Sequence, residues 1–344
     1  MEKAARVLSL VVLAKHADCG PPNRNRLMKT TSANKLAMQS ESASKTTAAK
    51  RNSKIHPVVI YPFNQPGDYS DLEPLYEMIA KLDADKERYA RPVTVMDRKT
   101  YLAMNSNKAF LEFRRGTVAK HSDVLDGWCV DTCQMWYLGL GAVLDKGEAD
   151  DVYWLIPGDF NYGTQAGKEV LAKLWHLPEA VCGKEQDLCI GEIAMRTESS
   201  KQVIDTYGTF ALLYNWFPVE ARKIRQFTQR PRSEFFAIGH GFLHEVLRQR
   251  WYACEQTTVM LLLAVFSNKR VGQLSVGDIS DLSLGTESLA SAIIQIERIE
   301  WVLKNFWLER NQAMAGFVEN YRVLQAQSDQ IRRTAQILLQ NILV

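Results

Sequence analysis

Short apolar runs alternate with longer segments of helical spacing through the middle of the chain, between a start with little apolar pattern and an apolar, helical end. Residues 57–64 read as a buried strand that stops in a Pro/Asn turn. Asp71 to Ala80 then carries Leu72, Leu75, Tyr76 and Ile79 at the spacing of an amphipathic helix, with Asp71 near its N-cap. Pro92 to Asp97 is a second strand ending in an acid, and Arg114 to Lys120 a turn-like basic stretch. Ser122 follows as the cap of a long helix through Val124, Leu125, Trp128, Cys129, Met135, Trp136 and Leu140. Val152 to Ile156, β-branched and aromatic, is too short for a helix; Pro157 and Gly158 stop it and leave Asp159 at its end. This alternation predicts an α/β fold with a mostly parallel sheet, its strand ends gathered on one rim by right-handed crossovers.

The end of the chain reads differently. Ile293, Ile296, Trp301, Leu303, Phe306 and Trp307 make one broad apolar helix, and Phe317, Tyr321, Leu324, Ile331, Leu338 and Ile342 another, with Gly316 the break. Packing against the sheet is the default for such faces; an exposed tryptophan-bearing face would suggest a dimer or membrane-surface contact instead. No transmembrane segment is expected, since the run from Val259 to Phe266 falls far short of the roughly 18 residues a span needs. The expected organisation is a basic tail over 1–54, an α/β domain over 55–270 and a C-terminal helical extension over 271–344.

Charge changes the picture once. The chain total of +3 hides eleven Lys and Arg against three Asp and Glu in residues 1–54, so residues 55–344 are net acidic at −5. A nucleic-acid surface is not implied. Residues 28–54 are rich in Ser, Thr, Ala, Lys and Asn, which favours disorder; organellar targeting stays open, while the run from Val7 to Ala14 lacks a signal-peptide cleavage site. The six cysteines form no C-x-x-C pair, and Cys129 and Cys133 lack partners for a tetrahedral metal set. A reducing, cytoplasmic setting fits this usage.

Asp159 is the residue whose position carries chemistry, because open α/β sheets bind ligands beyond the strand carboxyl ends. Pro-Gly-Asp is also ordinary turn chemistry. Asn64 and Asp97 end the two earlier strands, with Arg115 and Lys120 on the intervening stretch. Acids for a cation and bases for phosphate suit a nucleotide-diphosphate ligand. Arg222, Lys223, Arg225, Arg230 and Arg232 could grip a diphosphate or an anionic acceptor, or could be a solvated face. Glu234 and Glu255 are the carboxylates to test as general base. His240 and His244 lie one helical turn apart with Glu245 outside the pair, which is not the zinc-protease spacing. There is no P-loop, no G-x-G-x-x-G and no G-x-S-x-G.

The order of these elements resembles GT-A fold glycosyltransferases of the family 2 kind, over roughly residues 55 to 268. Val59-Ile-Tyr-Pro62-Phe-Asn64 is similar to that family's opening strand and its Pro-x-x-Asn-Glu ending. The stretch Arg115 to Lys120 is similar to its basic glycine loop, and Leu155-Ile-Pro-Gly-Asp159 to the strand end where it holds a divalent cation. Asp187 to Glu192 resembles its next strand, and Arg232 to Gly239 its acceptor region. The resemblance implies a GT-A-like (Rossmann-like) sheet and transfer of a hexose from a nucleotide-diphosphate sugar to an unknown acceptor. It also implies a divalent cation (Mn or Mg) at Asp159, nucleotide near Pro62, Asn64, Asp97, Arg115 and Lys120, and a base at Glu234 or Glu255. Gln65 stands where the family has Glu, and only one of two metal acids is present. A catalytically inactive binding or scaffold protein of the same fold, and a sugar nucleotidyltransferase, are the alternative readings.

Overall fold

In the computed structural model the described residues are 53–60, 69–96, 102, 107–125, 135–194, 208–249, 255–278, 289–311, 326–331 and 333. The chain divides into residues 1–50 and 51–344, and every described residue belongs to the second unit.

Seven strands form one sheet: β1 (Ile55–Ile60), β2 (Val93–Val95), β3 (Asp123–Leu125), β4 (Val152–Pro157), β5 (Leu188–Ala194), β6 (Phe236–Gly239) and β7 (Val271–Asp278). Their order is β3-β2-β1-β4-β6-β5-β7. All neighbours run parallel except β6, which is antiparallel to β4 and to β5. The mostly parallel sheet expected from the sequence is borne out.

Both faces of β1 and β4 are buried, which explains their mostly apolar sequences, His56 of β1 being the polar exception. Val58, Ile60, Tyr153 and Leu155 point to one face. There they meet α4 (Met135–Leu144), α7 (Thr209–Trp216), α8 (Pro218–Phe227), α9 (His240–Leu247), α10 (Gln256–Phe266) and α11 (Leu289–Arg310). Val59, Trp154 and Ile156 point the other way. That face is covered by α1 (Glu73–Ala84), α2 (Lys108–Phe113), α5 (Gln165–Leu174) and α6 (His176–Cys182).

Helix α11 packs as its apolar pattern predicts: Ile296, Ile299, Val302, Leu303 and Phe306 are buried, at about 1.5–3 kcal/mol each for a fully buried side chain. Ile294 and Trp301 are left on its outer side, 54% and 59% exposed. Of the second apolar helix, 326–331 is helical and Ile331 packs on the core; most of the remainder lies outside the described residues. Among the described residues no helix is long and apolar enough to cross a membrane.

Three expectations need correction. Val124 and Leu125 belong to an edge strand, β3, rather than a helix. Ser122 ends the short helix α3 (Ala119–His121), its hydroxyl donating to the Val118 carbonyl at 2.8 Å and lying 2.9 Å from Thr94 Oγ1. The basic stretch before it is no turn: α2, a π-helical turn (Arg114–Val118) and α3 follow one another, with Asn107 capping the start. Finally, residues 271–278 are the seventh strand, so the helical extension begins after them.

Candidate active site at the strand ends

The chain leaves the sheet at the close of its two central strands, where Ile60 on β1 pairs with Pro157 on β4. Gly158 N–H donates to the Ile60 carbonyl at 2.6 Å, so Asp159 begins a loop anchored to both strands. Phe160 and Tyr162, either side of Asn161, are buried. The Tyr162 hydroxyl donates to the Pro157 carbonyl at 2.5 Å, and the Tyr162 N–H donates to the Asp71 carbonyl at 3.0 Å. Burial, reinforced by the charge of Asp159, holds the Tyr162 pKa well above the ordinary phenol value, so the phenol remains a donor. Asn161 Oδ1 accepts from Gly163 N–H at 3.0 Å, and Thr164 Oγ1 caps α5 by accepting from Gly167 N–H at 3.0 Å.

A second loop reaches the same rim because β6 runs against its neighbours and therefore enters the sheet where they leave it. Residues 228–235 are laced onto the end of β5. Glu192 accepts from Thr228 Oγ1 at 2.7 Å and from Gln229 N–H at 3.0 Å. Arg230, 4% exposed, donates through Nε to the Ile193 carbonyl at 3.1 Å, and Ser233 Oγ donates to the Gly191 carbonyl at 2.8 Å. Position 191 needs glycine for this approach, since a Cβ there would lie 2.6 Å from Phe235 Cβ. The two loops meet where the Phe160 and Phe235 rings pack with centroids 5.3 Å apart. Asp159 and Glu234, each next in sequence to one of these rings, are therefore both at the rim, and both are half-buried.

Behind the second loop stands α10, whose Thr258 hydroxyl donates to the Pro231 carbonyl at 3.2 Å. Glu255, at the N-cap of α10, is 0% exposed and pairs with Arg298 Nη2 of α11 at 3.2 Å. That geometry suits holding a guanidinium better than taking a proton from an acceptor hydroxyl.

Lys120 stands elsewhere. Its carbonyl accepts from Arg91 Nη2 at 3.4 Å, and Arg91 Nε binds Asp123 Oδ1 at 2.7 Å, at the start of β3. Lys120 lies at the edge where the strands begin, opposite Asp159, because it directly precedes β3, which runs parallel to β2 and must be entered from that edge. Arg115 is exposed in the π-helical turn of that run. Pro62, Asn64 and Asp97 lie outside the described residues, as do Cys129 and Cys133.

The basic cluster also separates. Arg222 and Lys223 are exposed, Arg225 stacks on Phe210 with 4.8 Å to the ring centroid, and Arg230 serves a backbone carbonyl. His240 Nδ1 pairs with the Tyr153 hydroxyl at 2.8 Å and not with His244. Among the described residues no group of three or more His, Cys, Asp or Glu could hold a metal ion. A lone strand-end carboxylate fits a cation that is shared with phosphate oxygens, and does not fit a caged resident metal. The Glu192 clamp and the bracing by Tyr162 and Gly167 were missed from sequence, although Asn161-Tyr-Gly-Thr164 before an apolar helical repeat is a legible turn and cap signal.

No family model and no curated protein matches the chain. Among solved structures it is similar to glucosyl-3-phosphoglycerate synthase from Mycobacterium tuberculosis in complex with phosphoglyceric acid, at 13% identity and a TM-score of 0.48, over 76% of this chain and 81% of that one. A structure of the same synthase with Mn2+, UDP and phosphoglyceric acid is similar at 12% identity and a TM-score of 0.48, over 74% and 80%. 4-Diphosphocytidyl-2C-methyl-D-erythritol synthase is similar at 12% identity and a TM-score of 0.37, over 71% and 97%.

Proposed function

We propose that the chain is a nucleotide-sugar-dependent glycosyltransferase that moves a hexose from a nucleotide-diphosphate donor to a hydroxyl acceptor. The observation that carries this reading is the meeting of two loops at the carboxyl ends of the central strands. They bring Asp159 and Glu234 to one rim through the packing of Phe160 on Phe235. Asp159 is assigned to the donor diphosphate and to a manganese or magnesium ion bound with it. That ion, when bound, offsets charge on the departing diphosphate.

Asn64 and Asp97 are assigned to the nucleoside. Glu234 takes the proton from the acceptor hydroxyl as its oxygen bonds to the anomeric carbon and the bond to the diphosphate breaks. Arg232, on the same loop, supplies positive charge to the leaving diphosphate or to an anionic acceptor. Glu255 holds Arg298 and backs this loop, and Lys120 has no part in the donor site.

Thermal unfolding with UDP or GDP, each with and without manganese, tests the reading. A ligand that binds only the native state at a hundred times its Kd stabilises by about 2.7 kcal/mol, so at least one nucleotide with manganese is expected to raise the Tm by several degrees. No shift with either nucleotide at millimolar concentration would overturn it.

A further inference from the structure

The loop that follows β4 is held from below as well as from its ends. Gly167, in the first turn of α5, has no space for a side chain: a Cβ would lie 2.3 Å from the Asn161 carbonyl oxygen and 2.6 Å from the Tyr162 Cα. Contacts that short do not occur with a real Cβ, and the atoms in the way are backbone, which cannot swing aside as a side chain would. The helix therefore presses its first turn directly against the chain two and three residues beyond Asp159. From the other side the Tyr162 hydroxyl ties the same loop to the Pro157 carbonyl. Thr164 joins the two supports, donating to the Asn161 carbonyl at 3.3 Å while capping α5 through Gly167 N–H. Asn161 thus carries a side-chain turn bond, a hydroxyl on its carbonyl and a helix beneath it, all within a few residues of one half-buried carboxylate.

We infer that Gly167 and Tyr162 are positioning residues for Asp159: they fix the backbone of residues 158–164 so that the carboxylate is already placed to share a cation with a bound diphosphate. This rests on the donor-site reading of Asp159 given above. Among the described residues one carboxylate is assigned to the cation, so coordination depends on how accurately the fold places it. The two residues act through the loop and need not touch the ligand.

The test compares calorimetric titration of UDP and of GDP into the full chain, with and without manganese, for the wild type and for Gly167→Ala, Tyr162→Phe and Asp159→Asn. The reading is the ratio of nucleotide affinity with the metal to that without it. If the inference holds, Gly167→Ala lowers that ratio by tenfold or more and Tyr162→Phe lowers it several-fold, while metal-free affinity stays within twofold in both. The Mn2+ electron paramagnetic resonance signal shows correspondingly more free ion at equal nucleotide. Tyr162→Phe keeps the packed ring and carries the test alone if Gly167→Ala does not fold. Equal loss of metal-free and metal-linked affinity, or a ratio unchanged in Tyr162→Phe and in any folded Gly167→Ala protein, overturns the positioning role. When that happens while Asp159→Asn loses its metal dependence, the donor-site reading survives. An unchanged ratio in Asp159→Asn removes both.

Discussion

Asp151 and Asp159 stand at the two ends of one strand and have opposite fates. Asp151, 7% exposed, is fully engaged by donors: Lys54 N–H at 2.8 Å, Glu148 N–H at 2.9 Å and His56 Nε2 at 2.9 Å. Beside it His56 stacks on Tyr153 with ring centroids 4.9 Å apart, and Tyr153 pairs with His240. The edge where the strands begin is therefore closed by a polar network that ties β1 and β4 to α9. At the other edge the supports around Asp159 bind its backbone neighbours, and two loops from distant parts of the chain converge on it. Identical residue types at the ends of one strand thus serve different purposes. Asp151, before the strand, satisfies backbone donors; Asp159, after it, stands on a braced loop at the carboxyl rim, the edge where the proposed donor site lies.

If the first edge is structural, breaking it should cost stability and leave nucleotide binding alone. Asp151→Ala removes the acceptor for the buried His56 ring and for two part-buried backbone N–H groups, and the expected loss is about 3 kcal/mol, or roughly 5 °C in Tm for a chain of this size. The folded protein should still bind UDP or GDP with manganese as the wild type does. A variant with unaltered Tm and altered nucleotide affinity would reverse the roles assigned to the two ends.

A smaller effect is expected from pH. Burial lowers the His56 pKa below its ordinary value, outweighing the raising effect of Asp151, so the ring is neutral in the folded protein near pH 7. The unfolded chain takes up that proton first. Stability from this site is therefore complete above about pH 6.5 and is lost as pH falls below it toward the lowered folded value. Asp151 is held below the usual carboxylate range: burial opposes this, and the backbone and His56 hydrogen bonds overcome it. Its contribution is lost only below about pH 4. Melting curves between pH 7.5 and 5 should show a decline in Tm that is reduced in His56→Gln, which keeps a donor for Asp151 and cannot titrate. Parallel declines in both proteins would remove His56 from the account.

The contrast also explains what the sequence made legible. β1, β2 and β4 were readable because buried strands need apolar residues on both faces, and α1 because its buried residues recur at helical spacing; β5 was reached only through the family resemblance. β3 was hidden: it is three residues at a sheet edge, and Val124 and Leu125 fit the spacing of the helix that follows equally well. β7 was hidden by its edge position, which leaves most of it half-buried or exposed, and by Gly272 and Gly277. Gly116 suggested a turn, yet it is accommodated within a π-helical turn; Lys120 lies at the other edge because it directly precedes β3, the strand that was not read. The place of Asp159 just beyond a strand end was legible because Pro157 and Gly158 announce that end. The Glu192 clamp and the closeness of Gly167 to Asn161 depend on residues brought together by the fold, which no local pattern records.

Asp159→Asn, measured beside Asp151→Asn, tests the donor site most directly. Asparagine keeps the shape and turn preference of aspartate and removes its charge. Asp159→Asn is expected to leave the ligand-free Tm within about 1 °C, because it is isosteric and keeps the turn, while manganese-dependent affinity for UDP or GDP falls tenfold or more. Asp151→Asn is expected to lower the Tm and leave that affinity unchanged. Full metal-dependent nucleotide affinity in Asp159→Asn would contradict the central claim.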